Sequence, residues 1–140
     1  MSLIKWIEFP CLGDERGNLV ALEGMKNIPF AIKRVYYLFD MQANIPRGFH
    51  AHKAIVQCAV CVKGSCDILM DNGKEKQIVT LDSPVKGLLI DVMQWHEMSN
   101  FSQDCVLMVL ASEHYDESDY IRDYSEFLKV KRESNSGWKK

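Results

Sequence analysis

The stretch IVQCAVCVKGSCDILMDNGKEKQIVTL, residues 55–81, carries the clearest signal for the fold class. It holds three short runs rich in apolar and β-branched residues, separated by Lys63-Gly64 and by Asp71-Asn72-Gly73. An Asn-Gly pair between two such runs is a strong hairpin signal. Similar runs recur about every ten residues on both sides of this stretch, from Leu3 to Ala111. The sequence therefore predicts an all-β sandwich or barrel.

The length of 140 residues fits one domain, and we expect a single domain over residues 1–140. One helix is predicted near the end, with Ser118 as its N-cap and its last turn at about Arg132. The reason is that Ile121, Tyr124 and Leu128 follow one another at spacings typical of one helix face. The polar residues 133–140 are expected to form a frayed tail.

The charge balance argues against two classes of partner. The net charge is −2 and the pI is near 6.1, whereas general nucleic-acid binding needs a basic face. Residues 1–10 contain Lys5 and Glu8 and no long apolar run, so we expect neither a secretion signal nor a membrane span. Neither a nucleic acid nor a membrane is an expected partner.

The chain has five cysteines, and an odd number without a secretion signal is typical of reduced thiols in the cytoplasm. Cys58 and Cys61 have the CxxC spacing that zinc and redox sites use. They lie, however, in an apolar run that is predicted to be a strand. Because side chains alternate between the two faces of a strand, the two sulfurs should point in opposite directions. We interpret both as buried structural cysteines.

Three of the four histidines are candidates for a functional site. His50 and His52 are separated by one residue, so on a strand both rings project from the same face, and His96 follows a later strand. His114 lies beyond the last predicted strand and is interpreted as a surface residue. Three histidines can bind zinc, iron or manganese, or they can transfer protons, because an imidazole titrates near neutral pH.

The placement of these histidines resembles the two motifs of the cupin superfamily, whose fold is a small jelly-roll barrel. The matching residues are Gly48, His50, His52 and Gly64 in the first motif, and Gly87, His96 and Asn100 in the second. This resemblance implies a cupin barrel, to which the predicted helix adds a short C-terminal element.

The glutamate ligand of metal-binding cupins is missing from the first motif. By strand phase Val56, four residues after His52, shares the face of the histidines, and valine cannot bind a metal. Gln57 is one residue out of phase and would need a β-bulge to point inward. We therefore expect a metal-free site and no cofactor.

Four segments spread over nearly the whole chain carry a closer resemblance. They are Arg34-Val35-Tyr36-Tyr37, Pro46-Arg47-Gly48-Phe49-His50-Ala51-His52-Lys53, Trp95-His96-Glu97-Met98 and Tyr115-Asp116-Glu117-Ser118-Asp119-Tyr120-Ile121-Arg122. Together they resemble the sugar-nucleotide 3,4-ketoisomerases, cupins that act on dTDP-4-keto-6-deoxy-D-glucose. The resemblance implies an isomerase that forms a dTDP-3-keto-6-deoxyhexose for bacterial surface polysaccharides. It also implies a homodimer that exchanges N-terminal strands, with Leu3 to Phe9 as the exchanged strand.

The implied reaction assigns roles to the candidate residues. A carbonyl at C4 acidifies the C3 hydrogen, so the enzyme needs a base, an acid and a donor to the developing oxyanion. His50 and His52 are the expected base and acid, with His52 favoured as the C3 base, and Tyr37 or His96 is the expected donor. The substrate-binding candidates are the cations for the diphosphate and two residues near the motifs: Arg34, Arg47, Lys53, Arg16, Gln57 and Trp95.

Three alternatives remain open at this point. A metal-dependent cupin, for example a dioxygenase, would use His50, His52 and His96 as ligands. A 3,5-epimerase of the same sugar nucleotide needs the same kind of proton abstraction. A non-catalytic ligand-binding cupin would not need two titrating groups side by side. The galacto or gluco configuration of the product at C4 is left open as well.

Overall fold

Two antiparallel sheets of five strands each form the body of the protein in the computed structural model, which describes residues 3–137. This agrees with the predicted all-β class. The strands in chain order are β1 (Trp6–Glu8), β2 (Leu12–Asp14), β3 (Gly17–Leu19), β4 (Arg34–Leu38), β5 (Arg47–His52), β6 (Gln57–Lys63), β7 (Cys66–Asp71), β8 (Lys76–Leu81), β9 (Lys86–Ile90), β10 (Trp95–Ser99), β11 (Val106–Ala111) and β12 (Tyr120–Ile121).

The chain crosses repeatedly between the two sheets. The first sheet has the order β1, β9, β6, β11, β4, and the second has the order β12, β5, β10, β7, β8. Strands β2 and β3 form a separate hairpin. The β7–β8 hairpin turns at Asn72 and Gly73, as the sequence predicts, and Gly73 has a φ of +91°, which favours glycine.

The main core lies between the two sheets and includes the fully buried Ile68 and Leu107. A second cluster around Ile28 covers the other face of the first sheet. Cys61 belongs to the main core and Cys58 to the second cluster, so their sulfurs lie on opposite faces of β6. The interpretation of both as buried cysteines is confirmed.

The C-terminal helix begins later than predicted. Residues Glu117–Asp119 form a single 3-10 turn, and β12 follows before helix α1 (Tyr124–Gly137) begins. The prediction of a start at Ser118 was wrong because two acidic side chains compete with it as caps. Asp116 accepts the N–H of Ser118 and closes the 3-10 turn, whereas Asp123 accepts the N–H of Glu126 and starts α1.

Helix α1 packs on the second sheet through Phe127, which is fully buried against Trp95. It continues past the predicted end at Arg132 into the segment expected to be frayed, and residues 138–140 lie outside the described part of the chain. No helix among residues 3–137 is long and apolar enough to cross a membrane.

Candidate active site

Three histidine rings meet where β5 and β10 pair. His50 lies opposite His96, and His52 lies two residues further along β5. The ring centroids of His50 and His96 are 4.5 Å apart, and those of His50 and His52 are 5.0 Å apart. All three rings are buried. The structure thus brings together the three histidines that the sequence singled out.

An irregular backbone lets the two strands approach closely here. Gly48 and Phe49 both have positive φ angles, +95° and +59°, and the pairing shifts register between His96 and Glu97. A Cβ at Gly48 would lie 3.1 Å from the carbonyl oxygen of His96. A side chain at this position would therefore be strained and would push β5 away from His96.

The hydrogen bonds of the histidines fix their tautomers. The Nδ1 atoms of His50 and His96 lie 3.0 Å and 3.1 Å from the carbonyl oxygens of Gly48 and Gln94. A carbonyl oxygen can only accept, so each Nδ1 carries the proton and each Nε2 keeps a lone pair. Among residues 3–137, the buried Nε2 atoms of His50 and His52 have no hydrogen-bond partner. Both are thus available to take a proton from a ligand.

Burial keeps the three rings uncharged at neutral pH. It lowers the pKa of His50 to about 4 and that of His96 to about 3, because the charged imidazolium loses its hydration. Burial also lowers the pKa of His52, but hydrogen bonding to Asp119 opposes this shift. Neutral imidazoles with free Nε2 lone pairs are general bases.

Asp119 orients His52. Its Oδ2 lies 3.0 Å from Nδ1 of His52, and both side chains are buried. The same carboxylate accepts the backbone N–H groups of Ala54 and Ile55, which follow β5 directly. Residue-based reasoning missed Asp119, whose sole signal was its place inside the matched segment Tyr115–Arg122. The pairing fixes the Nδ1–H tautomer of His52 and stabilises its cation if it accepts a proton.

A cavity of about 420 Å³ opens above the histidines, between the edge of the first sheet and the face of the second. Strand β4 contributes from the first sheet, and β5, β10, β12 and the residues beside β12 contribute from the second and its flank. The lining residues are Arg34, Tyr36, Leu38, Arg47, Gly48, His50, Met98, Tyr115, Tyr120 and Arg122. His52 and His96 are buried more deeply than His50, at 1% and 2% exposed against 9%.

Arg34 is a half-buried cation in the wall of the cavity. Its guanidinium lies 5.0 Å from the ring centroid of Tyr36 and 5.6 Å from that of Tyr115. Within residues 3–137, its buried Nε and Nη2 have no hydrogen-bond partner. By contrast, the guanidinium of Arg122 donates to both carboxylate oxygens of Glu117 at 2.8 Å. A guanidinium with unpaired buried nitrogens favours an anion as ligand.

Tyr36, and not the predicted Tyr37, lines the cavity. Side chains of β4 alternate, so Arg34 and Tyr36 face the cavity while Tyr37 points outward, 64% exposed, beside Phe39. The Tyr36 hydroxyl accepts a hydrogen bond from Nε2 of Gln57 at 2.9 Å, which leaves its own proton free to donate. Burial raises the pKa of Tyr36 to about 12, so it stays protonated.

The prediction that Val56 shares the face of the histidines was wrong. It assumed one continuous strand, but β5 ends at His52 and β6 begins at Gln57. Val56 therefore packs in the second cluster, away from the histidines, whereas Gln57 is buried and reaches Tyr36 without the predicted bulge. Gln57 supports the site by holding Tyr36.

Three other candidates do not line the cavity. Lys53 is exposed just after β5. Arg16 is exposed in the β2–β3 hairpin, where it pairs with Asp14. Trp95 packs under α1, and its indole N–H donates to Glu97 at 2.9 Å. Of the four cations proposed from the sequence, the structure places Arg34 and Arg47 at the cavity.

The histidine cluster also suits a metal ion in its geometry. Each of His50, His52 and His96 offers a nitrogen, and these atoms lie within 4.8 Å of one another. The Nδ1 hydrogen bonds leave the Nε2 atoms as possible ligands. The expectation of a metal-free site therefore stays a prediction.

The chain matches known families over nearly all its length. The family described as FdtA: WxcM-like, C-terminal, matches residues 2–132. The TDP-4-oxo-6-deoxy-alpha-D-glucose-3,4-oxoisomerase of Aneurinibacillus thermoaerophilus is 57% identical over 125 residues, which cover 89% of this chain and 90% of that protein.

Solved structures give the same result. WlaRB, a TDP-quinovose 3,4-ketoisomerase of Campylobacter jejuni, is 48% identical with a TM-score of 0.87, covering 90% of this chain and 97% of the other. A histidine-to-asparagine mutant of the 3,4-ketoisomerase QdtA of Thermoanaerobacterium thermosaccharolyticum, in complex with TDP-4-keto-6-deoxyglucose, is 40% identical with a TM-score of 0.92, covering 95% and 96%.

Proposed function

The chain belongs to the FdtA, WxcM-like family, and on this premise we propose that it is a sugar-nucleotide 3,4-ketoisomerase. Its substrate is dTDP-4-keto-6-deoxy-D-glucose and its product a dTDP-3-keto-6-deoxyhexose. The observation that carries the proposal is the 57% identity to a TDP-4-oxo-6-deoxyglucose 3,4-oxoisomerase, which extends over 89% of this chain. The paired histidines beside a cavity with an unpaired arginine supply the groups that this reaction needs.

The reaction moves two protons and needs no net oxidation. A base removes the proton from C3, next to the C4 carbonyl, and the electron pair moves to O4 to give an enediolate. The proton returns to C4, and the hydroxyl proton of O3 passes to O4, so that C3 becomes the ketone. The protein must supply a base, a relay between the two oxygens and a donor to O4.

The geometry favours His50 over His52 for contact with C3. His50 lines the cavity with a free Nε2 and is 9% exposed, whereas His52 is buried more deeply, at 1%. We therefore revise the expectation that His52 is the C3 base. His50 takes the C3 proton and returns it to C4, and His52, backed by Asp119, relays the hydroxyl proton. Tyr36 donates to O4, because its pKa of about 12 keeps it protonated and Gln57 already occupies its acceptor side.

Arg34 and Arg47 bind the diphosphate. Arg34 is half-buried and has two buried nitrogens without a partner among the described residues, and Arg47 lies at the start of β5 on the same cavity. A guanidinium presents paired N–H groups that match phosphate oxygens. The orientation that follows places the nucleotide toward β4 and the sugar toward His50.

NMR of the product formed in deuterated water tests the proposal. We expect a 3-keto product with deuterium at C4 if the C3 proton exchanges with solvent on the enzyme, and without it if His50 returns the same proton. Deuterium at C5 with inversion there would instead indicate a 3,5-epimerase. An unchanged substrate that still binds would indicate a ligand-binding cupin. Either result refutes the proposal, and the spectrum of a 3-keto product also gives the configuration at C4.

We propose further that the reaction uses no metal. The supporting observation is that neither Val56 nor Gln57 supplies a carboxylate to the histidines. Activity should therefore survive prolonged EDTA treatment followed by gel filtration. Loss of activity that one divalent ion restores would assign His50, His52 and His96 as ligands instead.

The active form is proposed to be a cytoplasmic homodimer that exchanges N-terminal strands. Strand β1 lies at the sheet edge and is joined to the body by pairing with β9, a pairing that two chains can exchange. Leu12 and Tyr37 are 61% and 64% exposed, and a second copy would cover such side chains. Light scattering after size exclusion should give a dimer mass; a monomer mass at working concentration would refute the dimer. The free thiols fit a reducing compartment.

A further inference from the structure

Three buried thiols meet at the end of β6 that points away from the histidines. Cys61 lies near the end of β6, Cys66 begins β7, and Cys105 directly precedes β11. Each sulfur lies within 4.8 Å of the other two, and the Sγ atoms of Cys61 and Cys105 are 3.8 Å apart. Gln57, which reaches the active site, is four residues before Cys61, so about 13 Å of strand separates the two clusters.

The backbone builds this cluster from three separate segments. The β6–β11 pairing shifts register between Val106 and Leu107, so the chain bulges beside Cys105. Gly64 turns the chain between β6 and β7 with a φ of +73°, and a Cβ there would lie 2.9 Å from Cα of Cys105. The fold therefore holds the three cysteines together, and their proximity does not depend on a flexible turn.

The surroundings of the sulfurs are apolar. The three cysteines are 1%, 1% and 3% exposed and belong to the main core. The polar contact recorded for Cys61 outside the cluster is its S–H to the carbonyl oxygen of Lys63, at 3.1 Å. Hydrogen bonding among the thiols lowers the pKa of Cys61 and raises that of Cys66, whereas burial alone raises the pKa of the isolated Cys58. The cluster thus differs chemically from a single buried cysteine.

From this geometry we infer that Cys61, Cys66 and Cys105 form a binding site for one three-coordinate thiophilic centre, and that trivalent arsenic suits it best. Three thiolates around a divalent ion would leave a net negative charge in the core, which is costly. Three thiolates on arsenic(III) give a neutral complex that needs no fourth ligand. The inference is independent of the proposed function.

The binding step balances without an oxidant. Arsenous acid, As(OH)₃, reacts with three thiols to form three As–S bonds, and three As–O bonds break. Each hydroxide leaves with one thiol proton, so three waters are released and no atom changes oxidation state. The sulfurs must move closer together, and the neutral As(OH)₃ must reach thiols that are at most 3% exposed, so binding should be slow.

Arsenite added to the fully reduced protein tests the inference by native mass spectrometry. We expect one equivalent to add the mass of one arsenic less three hydrogens, and a dithiol to remove it. Ser in place of Cys61, Cys66 or Cys105 should weaken binding at least tenfold, since only two sulfurs remain. The matched controls are Cys58→Ser, another buried cysteine, and Cys11→Ser, an exposed one; both should bind like the wild type.

X-ray absorption at the arsenic edge of the wild-type complex keeps the test independent of how the variants fold. We expect three sulfur neighbours and no oxygen. Two sulfurs with one oxygen, or loss of binding in Cys58→Ser or Cys11→Ser, would overturn the inference. So would the absence of any adduct after both long incubation and refolding in arsenite.

Discussion

Replacing Asp119 with asparagine should uncouple His52 from its orienting carboxylate with little change in shape. The carboxylate holds three donors: the Nδ1–H of His52 and the N–H groups of Ala54 and Ile55. An amide has one oxygen and one NH₂, so it cannot accept from both sides. If its NH₂ faces His52, the ring must adopt the wrong tautomer. If the NH₂ faces Ala54 instead, the ring keeps its Nδ1–H tautomer. The NH₂ of the asparagine and the backbone N–H of Ala54 are then two donors that face each other.

The expected loss follows from one charge-assisted hydrogen bond. Such a bond contributes about 1.5–3 kcal/mol. Since about 1.4 kcal/mol is tenfold in rate, Asp119→Asn should lower kcat about 10- to 100-fold. The affinity for TDP should change little, because Asp119 does not line the cavity. Quenched assays analysed by chromatography measure kcat, and calorimetry measures the affinity for TDP.

The pH profile separates an electrostatic role from a merely structural one. The Asp119 carboxylate raises the pKa of His52 against the effect of burial. Its removal should lower that pKa further, so the acid limb of kcat/KM should move to lower pH. The matched control is Asp116→Asn on the same turn, because that carboxylate hydrogen-bonds to Ser118. A wild-type kcat and an unmoved acid limb in Asp119→Asn would refute the reasoning.

Three further predictions concern the cavity. His50→Asn and His52→Asn should each lower kcat by about 10²-fold or more. Only His50→Asn should abolish exchange of the C3 proton with deuterated water. Exchange lost only in His52→Asn would reverse the two roles. Arg34→Ala should raise KM and the Kd for TDP about 10- to 100-fold through loss of charge-assisted bonds; an unchanged Kd would place the diphosphate elsewhere. Tyr36→Phe should lower kcat at least about tenfold, whereas Tyr37→Phe should not, and equal kinetics in the two variants would contradict the alternation of β4.

Local sequence signals predicted the parts of the site that depend on local geometry. His50 and His52 share a face because a strand has a period of two, and the Asn72-Gly73 pair turns the chain as expected. Because Arg34 and Tyr37 are three residues apart, the same period of two places them on opposite faces of the strand. They therefore cannot both face one cavity. Which of the two faces is inward depends on the partner sheet, and both faces carry aromatic residues.

Contacts between distant segments could not be predicted in this way. Asp119 lies 67 residues after His52, and no periodicity links the two. The end of β5 at His52 likewise depends on Asp119, whose carboxylate binds the N–H groups of Ala54 and Ile55 and so turns the chain out of the strand. The mistaken phase of Val56 follows from this missing long-range contact.

The position of the cavity across two sheets makes the interior of the barrel part of the catalytic apparatus. Arg34 and Tyr36 stand on one sheet and His50 on the other, and packed sheets are about 10 Å apart. The gap between the anion-binding group and the base is therefore set by the thickness of the packed core and not by a loop. Laboratory evolution toward bulkier sugars should accordingly select substitutions at buried positions such as Ile68 and Leu107, which do not line the cavity but set how far apart the two walls stand.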